Sequence, residues 1–244
     1  MAQQRRWKYC ELRGGDWIDG ATDPAVTFYG HTLQLSTDPE KVFVRFSNGT
    51  RGAVKQATKN GVIVEISRDR QAMCDFYALQ VQTRKKHGVP PQPASFFDNV
   101  HEKMIEGGFG FISLAKFEGR TVAGAVFLAT PKRAVYKFAA SDSDSIHSRG
   151  NHLVLWEAIR HLIVNGCEQL HFGRTSPDNA GLRNFKLSWG AEEEMISYTR
   201  FDTKQRHWLP VVRHEGEGMS NRISRALPSA VNRFAGEILY PHLD

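Results

Sequence analysis

Three strand-like runs and an apolar helix, packed into residues 109–165, leave little freedom in how this chain can fold. Residues 109–117 (FGFISLAKF), 121–129 (TVAGAVFLA) and 133–140 (RAVYKFAA) are rich in aromatic and β-branched side chains. The turns Glu118-Gly119-Arg120 and Thr130-Pro131-Lys132 are short enough to close hairpins. After a polar loop at 141–150, Leu153, Leu155, Trp156, Ile159, Leu162 and Ile163 recur at helical period over 151–165. Gly166 ends that helix and 168–172 (EQLHF) reads as a further strand. An antiparallel meander joined through a crossover helix to one more strand makes a mixed α/β sheet.

Around this centre, 7–12 and 27–35 read as strands, and Asp38-Pro39-Glu40 supplies a cap, a first-turn proline and an acidic first turn for a helix. Asn48-Gly49 is expected to break it, with a second helix running to Asn60-Gly61 and a strand at 62–66. Helices follow at 70–87 and 95–106, separated by Gly88-Val89-Pro90-Pro91, which no helix crosses. A short helix at 180–188 and strands at 193–201 and 206–212 complete the pattern. From residue 62 the order is β-α-α-β-β-β-α-β-α-β-β. That order resembles the GNAT-like (acyl-CoA N-acyltransferase) α/β fold, a mixed sheet flanked by helices. The resemblance implies that two central strands splay apart around the acyl donor, here between 133–140 and 168–172.

The chain has 32 Lys+Arg against 26 Asp+Glu, and its +6 is local. Residues 45–86 hold nine Lys or Arg and three acids, enough to account for the whole excess. Within that segment Arg51, Lys55 and Lys59 line one helix face, a stripe that attracts phosphate or simply faces solvent. Without interleaved aromatics it is not a stacking platform for single strands. A 41% hydrophobic content excludes a disordered chain. No run approaches the ~20 apolar residues of a membrane span, and the start carries no signal-like apolar stretch, so a cytoplasmic protein is expected. Cys10, Cys74 and Cys167 are far apart and lack a CxxC, which predicts buried free thiols rather than zinc ligands. The ten histidines form no HxxxH or HExxH pair, and no GxSxG elbow occurs.

The densest set of functional residue types is 172–190, FGRTSPDNAGLRNFKLSWG. Arg174 stands where a strand ends, at the sheet edge at which α/β folds place ligands, and Asn179 can cap the next helix. Phe185 and Trp189 share one helix face, as core residues would, while Lys186 projects from its flank. This stretch resembles the closing motif of FemAB-like acyltransferases, D-F-G-R-S…F-K…W-G, with His171 in place of the usual Asp. Arg51 to Val62, Phe76-Tyr77, Thr83-Arg84…His87-Gly88, Tyr136…Ala140-Ser141-Asp142 and Leu155-Trp156-Glu157-Ala158 match upstream signposts of that family, best in members associated with exopolysaccharide and exosortase systems.

The resemblance implies transfer of an aminoacyl or acyl group to an amine of a peptidoglycan or exopolysaccharide precursor. By it, Lys186 stabilises the negative charge that develops in transfer. No general base stands out: Asp142 and Glu157 are the candidates beside the substrate itself. Arg174, Arg84, His87, Arg51, Lys55, Tyr136, Asn179, Phe185 and Trp189 are the expected substrate-binding residues. It also implies that 1–61 is the remnant of a first GNAT-like domain, with the acyltransferase domain at 62–212 and a helical tail at 213–244. That tail, apolar on one side and carrying Arg222, Arg225 and Arg233, could pack on the body or touch an anionic membrane surface. No resident cofactor is expected. The donor is aminoacyl-tRNA or acyl-CoA, and His147-Ser-Arg-Gly150-Asn-His152 keeps only the central glycine of the usual pyrophosphate loop, favouring a donor other than CoA. Two other readings stay open: an acyl-CoA-dependent N-acetyltransferase, and a non-catalytic RNA- or polyanion-binding relic.

Overall fold

The computed structural model describes residues 7–14, 24, 26–209, 236, 237 and 240. In chain order its elements are β1 (Tyr9–Arg13), β2 (Val26–Gln34), α1 (Pro39–Phe43), α2 (Asn48–Lys59), β3 (Ile63–Ser67), α3 (Arg70–His87) and α4 (Ala94–Val100). A π-helical turn at His101–Ile105 leads to β4 (Gly110–Phe117), β5 (Arg120–Ala129) and β6 (Arg133–Ser141). A 3-10 turn at Ile146–Ser148 precedes α5 (Gly150–Val164), β7 (Gln169–His171), α6 (Ala180–Leu187), β8 (Glu192–Asp202) and β9 (His207–Trp208).

From β3 onward this is the order the sequence pattern predicts. The strands form one mixed sheet in the order β1-β8-β2-β7-β6-β5-β4-β3, with β9 paired to β8. Only β6 and β7 run parallel, as a crossover through α5 requires. β2 lies between β7 and β8, pairing Thr32 with His171 and Val26 with Tyr198, so strands from both sides of residue 61 share the sheet.

Two apolar layers sandwich it. Phe111 and Ile112, neighbours on β4, belong to different buried clusters, so strand alternation places those clusters on opposite faces. The first packs α1, α2 and α5 on the sheet through Val42, Val54, Leu155, Trp156 and Ile159. The second packs α3 and α4 through Phe76, Leu79 and Phe97. Leu155 is fully buried, and Leu155→Ala is expected to cost about 2–5 kcal/mol, read as a lower urea midpoint with an unchanged slope.

Local chemistry moved two expectations. The break between α1 and α2 is at Ser47, whose hydroxyl accepts the Thr50 N–H at 3.2 Å. Asn48 and Gly49 form the first turn of α2 instead of interrupting a helix. Of the three unpaired cysteines only Cys167 is buried; Cys74 is exposed, on the outer side of α3. Within the expected tail, Tyr240 stacks edgewise on Phe96 at 5.2 Å; 213–235 lie outside the described residues. Among the described residues no helix is long and apolar enough to cross a membrane, and no group of His, Cys, Asp and Glu could hold a metal ion.

Candidate active site

The ladder between β6 and β7 covers only Arg133–Val135 against Gln169–His171. Beyond it β6 runs on to Ser141, while the chain leaving β7 turns at Gly173, which has φ +72°. On its other edge β6 carries an extra residue, Lys137, because Phe127 pairs with Tyr136 and Val126 with Phe138. Such a bulge flips the side chains beyond it to the other face. Accordingly Ala134 packs in the first cluster, whereas Ala140 packs in the second.

A cavity of about 370 Å³ fills the opened side of β6, at the head of α5. Val122, Ala123, Tyr136 and Ala139 line it from the sheet, Ser148 to His152 from the head of α5, and Leu182 and Phe185 from α6. The far end of α6 is fixed by contacts to the α1–α2 junction: the Ser47 N–H donates to the Ser188 carbonyl at 2.8 Å, and the Thr50 hydroxyl to that of Ser188 at 2.9 Å. Gly190 is required there. It has φ +71°, and a Cβ would stand 3.0 Å from the Arg45 carbonyl oxygen.

Residues 45–187, from the lead into α2 to the end of α6, match the family profile described as an acetyltransferase (GNAT) domain. The chain belongs to this family. This GNAT acyltransferase also superposes on the crystal structure of FemX with a TM-score of 0.65 at 16% identity, over 84% of this chain and 69% of FemX. The C-terminal domain of a putative lysylphosphatidylglycerol synthetase from Agrobacterium fabrum gives 0.54 at 12% identity, over 78% of this chain and 60% of that one. L-PGS from Bacillus licheniformis gives 0.53 at 11%, over 84% and 65%. At these identities the likeness is one of fold. No curated protein matches the chain in sequence.

Of the expected site residues, Tyr136, Asp142 and Phe185 reach the cavity or its rim. Burial raises the pKa of Tyr136, so its hydroxyl keeps its proton. Asp142 accepts from the Ser145 hydroxyl at 2.8 Å and the Asp144 N–H at 3.0 Å. Those bonds, Ser145's first, lower its pKa, so it is a firmly held anion that braces the loop and a weak proton acceptor.

The other expected residues stand elsewhere. Lys186 is 3% exposed and donates to the carbonyls of Gly173 at 2.8 Å and Arg174 at 3.2 Å, tying α6 to the turn after β7; it does not line the cavity. Burial lowers its pKa to about 8. Arg174 donates to the Tyr198 hydroxyl at 3.0 Å and lies over the rings of Phe28 and Tyr198. Arg84 is spent on the Pro90 carbonyl at 3.3 Å, whereas its neighbour Thr83 lines the cavity. His87 is exposed at the end of α3. Arg51 donates to the Val44 carbonyl at 2.6 Å and Lys55 faces solvent. A neighbouring hollow of about 290 Å³ is lined instead by Gly49, Gly52, Ala53, Gln56, Arg149 and His152. Asn179 caps α6 by accepting the Leu182 N–H at 3.0 Å. Trp189 is fully buried against Phe46 and His152.

The head of α5 has little capacity left for phosphate. The Gly150 N–H donates to the Ser148 hydroxyl at 3.2 Å, and those of His152 and Leu153 go to the Arg149 carbonyl. Asn151 has the one first-turn N–H without a partner among the described residues. Gly150 serves packing: a Cβ there would meet Val122 at 3.2 Å and Ala115 at 3.3 Å. His152, absent from the expected set, fills part of the cavity wall, and burial, with Arg149 next, lowers its pKa. Its signal was its place two residues after Gly150, where the usual loop has a small residue.

Proposed function

We propose that this acyltransferase moves an aminoacyl or acyl group from an activated ester onto an amine of a cell-envelope precursor. The reading rests on the cavity beside β6 at the head of α5, in a fold that superposes on FemX. The donor ester enters from the head of α5, its acyl group lying against Tyr136, Ala139 and Phe185. The amine nitrogen bonds to the carbonyl carbon, and the tetrahedral intermediate breaks its bond to the ester oxygen. The amine's proton leaves with that oxygen, so the acceptor and leaving group can balance the step without a strong base in the wall. The wall's part is to hold both partners in line and keep water out.

The donor we favour is aminoacyl-tRNA. A pyrophosphate needs several free amides at a helix head, and here all but one of the first-turn groups are used. Lys55, exposed on α2, adds a diffuse attraction for a polyanion. Acyl-CoA remains the second reading, favoured by the family itself. Calorimetric titration separates them: charged tRNA is expected to bind and to lose its aminoacyl group to added hydroxylamine faster than it does without the protein, and acetyl-CoA to show no micromolar binding. Micromolar acetyl-CoA binding with acetyl transfer to hydroxylamine would overturn the assignment of donor. RNA binding without turnover of either donor would overturn the transferase reading for this chain.

A further inference from the structure

His152 stands in the walls of two hollows at once. Its side chain lines the first cavity, of about 370 Å³, and the neighbouring hollow of about 290 Å³ on the α2 side. Arg149 is common to both walls too, but it is exposed, so the inner part of the partition is the imidazole. Stacking holds that ring in place. It lies 6.0 Å from the ring of Trp189, nearly parallel at 24°, and 6.2 Å edgewise from that of Phe185. Trp189 is fully buried, and Phe185 is a wall of the first cavity. Neither ring nitrogen of His152 has a hydrogen-bond partner among the described residues, so the ring acts there by its bulk.

Beyond the partition the space is kept clear. Gly49, Gly52 and Ala53 of α2 line the hollow. Gly52 lies inside the helix, where glycine is the least favourable residue short of proline. A Cβ on it would meet nothing within 4 Å, so packing within the chain does not account for the glycine. We propose that His152 is a specificity-determining residue: it closes the acyl cavity toward α2 and so limits the length of the acyl group that the donor can carry. The identity of the occupant rests on the acyl-transfer reading, whereas the partition is a matter of geometry. Val122, Ala123, Leu182 and Phe185 give the cavity an apolar lining, against which each added methylene raises affinity about four-fold until the chain meets the ring.

Straight-chain hydroxamates, the products of acyl transfer to hydroxylamine, report this limit without turnover. Calorimetry on the butano-, hexano-, octano- and decanohydroxamates is expected to show wild-type affinity rising with length and then levelling off within the series. His152→Ala should bind decanohydroxamate at least ten-fold more tightly than wild type, because two further methylenes enter the hollow. His152→Phe, a ring without nitrogens, should restore the limit that alanine removes. Gly52→Leu on the His152→Ala background should restore it as well, by filling the hollow from the other side. His152→Val, still packed on Trp189, reads the same shift if the alanine variant unfolds. A wild-type chain that binds none of the four, a wild-type curve that never levels, or curves that coincide for wild type and the folded smaller variant overturn the proposal. A limit that lengthens equally in His152→Phe, or a gain that survives Gly52→Leu, overturns it too. If the limit moves as expected while hydroxylamine is never acylated, the transfer reading fails and the partition stands. If hydroxylamine is acylated and the limit stays fixed, only the partition fails.

Discussion

Lys186→Met is expected to slow acyl transfer about 100-fold while the chain still folds. Lys186 holds α6, which carries the cavity residues Leu182 and Phe185, to the two carbonyls of the turn leaving β7. It is a positioning residue, since its Nζ is committed to backbone oxygens and does not line the cavity. The pH profile tests this. Burial lowers its pKa to about 8, so the charge is lost as pH rises through that value, and transfer should fall there. Stability moves the other way. The unfolded lysine keeps its proton to its ordinary, higher pKa, so above about 8 the unfolded chain binds more protons and this group's contribution to folding stability rises with pH. Falling activity beside an unfallen unfolding temperature is thus the expected signature, and the methionine variant should lack the descending limb. Full activity in that variant, or a limb that survives it, would remove Lys186 from the machinery.

Ala139→Trp is expected to cut transfer at least 100-fold by occupying the space the acyl group needs. Ala139 is exposed on β6 yet lines the first cavity, so a large side chain there fills the opening without displacing core. Substitutions away from core, caps and networks shift stability by only about 0.5 kcal/mol, so thermal unfolding should change little. The loss should appear for every acceptor, hydroxylamine included. Unaltered turnover of hydroxylamine by the Ala139→Trp chain would place the donor elsewhere.

Much of this is legible in the sequence, for reasons that differ by element. The meander and α5 announce themselves because aromatic runs, tight turns and the spacing of Leu155, Trp156 and Ile159 all favour the same elements. The parallel β6–β7 pair follows from the crossover. The partner of β2 cannot be read, because pairing at long range depends on a register that no local pattern encodes. Among side chains, residue type indicates charge but not its use. Arg84 and Lys186 are bonded to carbonyls, and nothing in their spacing shows which oxygens are near. His171 stands out in the sequence only as an exception to a motif, and the bond its Nδ1 accepts from the Gly173 N–H depends on a turn that folding alone creates.

The position of β2 also orders events in time. Its neighbours are β7 and β8, so residues near 30 must wait for residues near 170 and 195 before either edge is satisfied. A ribosome releases about 5–20 residues each second, which leaves β2 unpartnered for seconds after it emerges. Meanwhile β4 to β6 can assemble from adjacent hairpins alone, a low-contact-order nucleus. The sheet beyond β6 is therefore finished last, when β2 closes on β7 and β8.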